Sequence, residues 1–154
     1  ELTSIHVPDE ADEAIRDLTR ARSDAVADLR RAKQRLKGFL LRHGYRYQGK
    51  ANWSDAHQRY LRELVLPVPA LKAVLEEYLL AITHATDRVA RLEALIEAQV
   101  PGWRFYPAVQ ALMCLRGIQL TAATVLISEI GDIDRFRHPR QLMGFLGLVP
   151  KDPH

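Results

Sequence analysis

The sequence predicts an all-α fold: two long heptad-bearing helices forming a coiled-coil hairpin, followed by a small helix-hairpin-helix-like three-helix unit. Three observations carry this expectation. Apolar residues recur at alternating steps of three and four through residues 15–39 and again through 71–96, as in helices that bury one stripe. Toward the C-terminus, short apolar helical runs are separated by Gly-containing turns. Nowhere does the strict apolar/polar alternation of a half-buried strand appear, and there is no internal repeat.

The first helix enters at Val7-Pro8-Asp9, with Asp9 as N-cap and Glu10, Asp12 and Glu13 placed favourably for the helix dipole. It runs to His43-Gly44, where glycine is a normal stop. Its seam is Ile15, Leu18, Arg22, Ala25, Leu29, Ala32, Leu36 and Phe39, with Arg22 as the one interruption. Residues 44–67 read as a connection containing a short helix at 54–64, opened by Ser54.

The second long helix follows Leu66-Pro67-Val68-Pro69 and ends near Gln99, with the seam Leu71, Leu75, Tyr78, Ile82, Ala85, Val89, Leu92 and Ile96. Each long helix spans on the order of 50 Å at 1.5 Å per residue. Such stripes are buried only by pairing, within a chain as an antiparallel hairpin, between chains as a coiled-coil dimer, or both as a four-helix bundle. The small seam residues Ala25, Ala32 and Ala85 bury little, so a partner chain is expected to complete the core, with the second seam as dimer seam. Val100-Pro101-Gly102-Trp103 marks the boundary between a 1–100 assembly region and a 101–154 unit. That unit comprises helices at 107–115, 121–130 and 139–146, with Trp103, Phe105 and Tyr106 expected as packing residues at the junction.

The 154-residue chain is 47% hydrophobic and 27% charged, as in soluble folded proteins, and no window approaches a membrane span. It opens on Glu1 rather than Met, which reads as a fragment or a trimmed start. The single cysteine, Cys114, excludes an internal disulfide and fits a reducing cytoplasm; its apolar helix and lack of a neighbouring base make it an expected packing residue.

The net charge of +3 hides an asymmetry. Arg30, Arg31, Lys33, Arg35, Lys37, Arg42, Arg46 and Lys50 form a block of eight basic residues with no acid among them. The block is either a solvated helix face or a nucleic-acid contact, the latter aided by Tyr45, Tyr47 and Trp53, which can stack on bases.

Helix, glycine turn, helix is also the outline of a hairpin that grips phosphate with backbone N–H groups. Here Gly117 allows close approach, Arg116 supplies charge, Ile118 completes the turn, and Gln119, Leu120 and Thr121 offer N–H groups, with Thr121 able to cap the helix. The usual hairpin carries a second glycine where this chain has Gln119. A helical turn with glycine as hinge is the other reading. Glu129, Asp132 and Asp134 are more readily a cap and charge partners for Arg135, Arg137 and Arg140 than metal ligands. The histidines His6, His43, His57, His84, His138 and His154 lack ligand spacing, and Ser128, within a helix, is a poor nucleophile.

The strings Glu129-Ile130-Gly131-Asp132 and Gly147-Leu148-Val149-Pro150 resemble the C-terminal domain of one group of proteins. They are similar to the DEDD-type insertion-sequence transposases of the IS-one-ten family (the IS116/IS110/IS902 group). The stretch from Val7-Pro8-Asp9-Glu10 to Arg42-His43-Gly44 looks like the linker helix of the same proteins. The resemblance implies a middle piece of a transposase, with an RNase-H-like domain carrying acidic Mg²⁺ ligands before it and a catalytic serine in a Ser-Ser-Gly stretch after it. No residue here matches a catalytic position, and no cofactor is expected in this chain itself. The implied partners are DNA, guide RNA and further copies of the chain, as homodimer or higher homo-oligomer, with no membrane. The alternative is a helical protein–protein assembly module with no nucleic-acid binding.

Overall fold

A computed structural model describes residues 9–130. Among them the order is α1 (Glu10–Arg42), α2 (Asp55–Glu63), α3 (Pro69–Gln99), a 3-10 turn (Val100–Gly102), α4 (Tyr106–Arg116) and α5 (Leu120–Ser128). The fold of the described residues is all-α. The expected helix at 139–146, Asp132, Asp134 and the Gly147–Pro150 string lie outside them.

Local chemistry explains the helix ends. Asp9 caps α1, its Oδ1 accepting from Ala11 N–H at 2.8 Å. At the other end Gly44 stands at φ +81°, with Tyr45 N–H bonded to Leu40 O at 2.9 Å and Gly44 N–H to Leu41 O at 3.1 Å. This is a Schellman stop, which needs a residue without Cβ at the left-handed position. Ser54 Oγ accepts from His57 N–H at 3.2 Å and opens α2. Pro69 begins α3, where its missing N–H has no helical partner to lose.

The described residues divide into two compact units, residues 9–24 with 89–130, and residues 25–88. The first turns of α1 and the last turns of α3 are built into the core that holds α4 and α5.

In the first unit Ile96, Val100, Phe105, Ala108, Val109, Ala123 and Ile127 are wholly buried, and Ile15 and Trp103 close over them. Each large apolar side chain so buried contributes roughly 1.5–3 kcal/mol. Polar groups inside this unit are paired. Asp12, only 5% exposed, accepts from Trp103 Nε1 at 2.7 Å and is bound by both Nε and the terminal nitrogen of Arg104. Arg16 Nε donates to Ser128 O at 2.9 Å, and the buried Thr19 and Ser128 hydroxyls lie 3.3 Å apart. Arg22, the interruption in the α1 seam, reaches Glu93 at 2.9 Å.

In the second unit Ala32, Leu36, Phe39 and Leu40 of α1 pack with Leu61, Leu66, Leu75 and Ile82. Asp28 meets Arg88 at 3.2 Å and the Phe39 and Tyr78 rings lie 5.3 Å apart, so these segments of α1 and α3 run in opposite directions. All eight α3 seam positions are buried or half-buried.

Cys114 corrects an expectation: it is exposed. Helix α4 buries Ala108, Val109 and Leu112, and Cys114, two residues beyond Leu112, falls on the opposite side at 100° per residue.

Candidate nucleic-acid interface

The charge asymmetry of the sequence coincides with the second unit. Residues 25–88 hold 12 Lys/Arg and 6 Asp/Glu, net +6, leaving 10 and 13, net −3, for the rest of the chain. Most of the excess lies on α1 and just after it. Helical periodicity divides the α1 cations between two flanks of the buried stripe. Arg31, Arg35 and Arg42 line a shallow groove with Gln34, Gly38 and Tyr78. A Cβ at Gly38 would meet only the tip of Arg42 at 3.8 Å, so the groove floor is open backbone. Lys33 and Lys37 occupy the other flank, where Lys33 Nζ sits 5.0 Å over the Trp53 ring. Arg31 shares Asp28 with Arg88. Among the described residues, Arg30, Arg35, Lys37, Arg42, Arg46 and Lys50 are in no ion pair. They are exposed.

Beyond the Schellman stop the chain doubles back and builds a cavity of about 440 Å³. Leu36, Leu40 and Leu61 supply apolar lining; Tyr45, Tyr47, Trp53, His57 and Tyr60 supply rings; Lys37, Arg46 and Asn52 supply polar groups. His57 stacks on Tyr47 with centroids 4.5 Å apart and takes the edge of Trp53 at 5.0 Å. Trp53 stands at φ +64°, the left-handed region that bulky residues avoid. Its N–H donates to His57 Nδ1 at 2.8 Å and its carbonyl accepts from Gln58 Nε2 at 3.1 Å, so both backbone groups are tied in place. Tyr47 lies so close over Gly49 that a Cβ there would come within 2.1 Å of its ring.

Burial, with the nearby Lys37 ammonium, pushes the His57 pKa below the usual imidazole value. The acceptor role of Nδ1 points the same way, because a protonated ring cannot accept from Trp53. A folded-state pKa below the unfolded value means that the unfolded chain takes up the proton first. The stability contributed by neutral His57 is therefore complete above the unfolded pKa and is lost as pH falls from there through the folded pKa. His57→Asn, whose Oδ1 can keep the bond to Trp53 without titrating, should lose less stability between pH 7.5 and 5.5 in urea unfolding. Equal losses in both proteins would refute the assignment.

The α4–α5 turn lies in the first unit. Gly117 adopts φ +65° and its N–H bonds Met113 O at 3.0 Å, ending α4 in a left-handed cap. Gln119 sits at φ −75°, ψ 161°, an ordinary extended conformation, so the backbone asks for no second glycine there. Helix α5 begins at Leu120 with Gln119 as N-cap and no side-chain cap bond. That takes Thr121 out of the capping position, and the opening N–H groups of the helix have no intrahelical acceptors. Arg116, Gly117 and Gln119 are exposed; Ile118 and Leu120 pack on the core of the unit, and Thr121 is half-buried.

No described group of three His, Cys, Asp or Glu side chains could hold a metal ion. The Glu129 carboxylate is engaged by Arg20 at 3.0 and 3.3 Å, a contact that raises the Arg20 pKa.

A family model described as "Transposase IS116/IS110/IS902 family" matches residues 109–153. A protein named transposase y4qE in Sinorhizobium fredii is 43% identical over 150 residues, 97% of this chain and 35% of its own length. The chain is thus similar to the IS116/IS110/IS902 transposases over nearly its whole length. Two further relatives are a transposase for the insertion sequence element IS1533 of Leptospira borgpetersenii and a family 20 transposase of Pseudomonas aeruginosa. The first is 27% identical over 86% of the chain and 39% of its own length, the second 28% over 90% and 41%. The chain thus spans 35–41% of the length of these relatives. No solved structure matches it. The family match starts within α4 and takes in the α4–α5 turn, whereas the basic unit is covered by the alignment to y4qE. No described helix is long and apolar enough to cross a membrane.

Sequence reasoning singled out the basic block, Tyr45, Tyr47 and Trp53, but missed Asn52, His57 and Tyr60. The spacing of His57 and Tyr60, three residues apart on one face of α2 just after Trp53, was the available signal.

Proposed function

We propose that this chain is a nucleic-acid-holding and subunit-assembling part of an insertion-sequence transposase, with strand chemistry performed by other segments of the whole protein that use Mg²⁺. The observation that carries the reading is the basic face of the second unit, on which Arg30, Arg35, Lys37, Arg42, Arg46 and Lys50 are exposed and, among the described residues, in no ion pair. A polyanion relieves the mutual repulsion of such a face and releases its own condensed counterions in doing so. The exposed α4–α5 turn, with Arg116, the left-handed Gly117 and the free N–H groups at the start of α5, supports a second phosphate contact. DNA and a guide RNA both offer the required phosphate.

The test is fluorescence anisotropy with duplex DNA and structured RNA across a salt series. The logarithm of the affinity should fall linearly with the logarithm of salt, at a slope of roughly −0.9 per phosphate engaged on B-form DNA. Absence of binding at low salt by the folded chain would refute the reading.

A second reading, a protein–protein assembly module without nucleic acid, is favoured by the apolar residues that α3 leaves outside: Val74, Leu80 and Leu95 are 38%, 46% and 47% exposed. Sedimentation distinguishes the roles. Self-association abolished by Leu80→Asp with nucleic-acid binding retained assigns both, whereas a concentration-independent monomer removes the assembly role.

A further inference from the structure

The aromatic cavity of the second unit does more than the phosphate-binding face needs. Phosphate requires cations and N–H groups; it does not require a recess floored by Leu36, Leu40 and Leu61 and walled by Tyr47, Trp53, His57 and Tyr60. At about 440 Å³ the recess falls within the roughly 300–1,000 Å³ typical of small-ligand sites, ample for a single base. Its flat apolar walls suit a planar π-system and its floor excludes a bare ion.

Lys37 and Arg46 stand in the same lining and, among the described residues, are in no ion pair, so a planar group entering here brings its own anion or leaves these cations unanswered. The walls are also held in place. Trp53 is kept in an unfavourable left-handed conformation by bonds at both its N–H and its carbonyl, the kind of local strain that persists at ligand sites. With Nδ1 of His57 occupied by Trp53 N–H, Nε2–H is the ring's remaining polar group, and the Asn52 amide belongs to the same lining.

We propose that this cavity holds one unpaired nucleobase of a nucleic-acid strand bound along the basic unit, with the adjoining phosphate on Lys37 and Arg46. The proposal rests on the nucleic-acid reading above and adds to it a base-sized receptor that duplex DNA, with its bases stacked and paired, cannot fill. A single-stranded DNA segment and an RNA loop present the same chemistry.

The test uses the 154-residue chain and short single strands, one set DNA and one RNA. Each is prepared intact, with 2-aminopurine in place of its adenines, and with all bases replaced by abasic residues. The expected results are quenching of 2-aminopurine fluorescence on binding and an affinity about tenfold weaker for the abasic strand, in line with the stacking energy of a base on an aromatic ring. Tyr47→Leu should narrow that gap while leaving the salt slope unchanged, and the comparison of intact with abasic strands needs no variant at all. Whichever sugar backbone shows the larger abasic penalty identifies the source of the base. Equal, salt-dependent affinity for intact and abasic strands, without quenching, overturns the base receptor and leaves the phosphate face standing. No binding by any strand at low salt overturns both.

Discussion

Asp12→Ala is expected to destabilise the first unit by about 3 kcal/mol, a large fraction of the stability of an ordinary domain. The carboxylate is 5% exposed and serves two donors, the indole Nε1 of Trp103 and the Arg104 guanidinium. Its removal strands a buried indole N–H and takes one partner from the Arg104 guanidinium. A third of the Arg104 side chain stays exposed, which keeps the cost toward the lower end of the range for broken buried pairs. Asp12→Asn should cost less, because an amide oxygen still accepts from Trp103. Urea unfolding followed by Trp103 fluorescence measures both. A change within about 0.5 kcal/mol for Asp12→Ala, as for an ordinary surface substitution, would mean that the network does not hold this unit together.

Reversing Arg31, Arg35 and Arg42 together to Glu is expected to weaken nucleic-acid binding on the order of a hundredfold or more at 0.1 M salt. Each reversal removes a cation from the phosphate backbone and adds a repulsion, and the salt slope should become shallower by about one for every phosphate no longer neutralised. The fold should survive. All three residues are exposed, Arg31 has an exposed partner in Asp28 worth 0–1 kcal/mol, and Arg42 in the last turn of α1 forfeits a few tenths of a kcal/mol of dipole interaction. Unchanged circular dichroism with unchanged affinity would move the interface off this groove and onto Lys37, Arg46 and the cavity flank, or onto the α4–α5 turn.

Much of the architecture can be read directly from the chain because it is encoded locally. Asp9, Ser54, Gly44 and Pro69 act on backbone groups within a few residues of themselves, so the ends of α1, α2 and α3 follow from residue type. The two seams are equally legible, since a stripe at helical spacing has one face to bury wherever its partner lies. What the stripe packs against is another matter. In the second unit Leu75 and Ile82 of the α3 seam lie against Leu36 and Phe39 of the same chain, and periodicity alone does not distinguish that from pairing with a second copy.

The basic block is evident from composition, but only the folded unit shows that it is the part of the chain carrying a net +6 and that a groove and an aromatic cavity lie on either flank of one buried stripe. Asp12 is the clearest divergence. Its position near a helix start suggests a dipole role, yet its partners Trp103 and Arg104 lie 91 and 92 residues away. Arg16 and Arg20 likewise find Ser128 and Glu129 across more than a hundred residues. Helix formation is decided by interactions three and four residues apart and therefore leaves a trace in the order of amino acids. The partners of a buried carboxylate or the walls of a cavity are decided by where helix ends meet in space, and that arrangement exists only once the chain has folded.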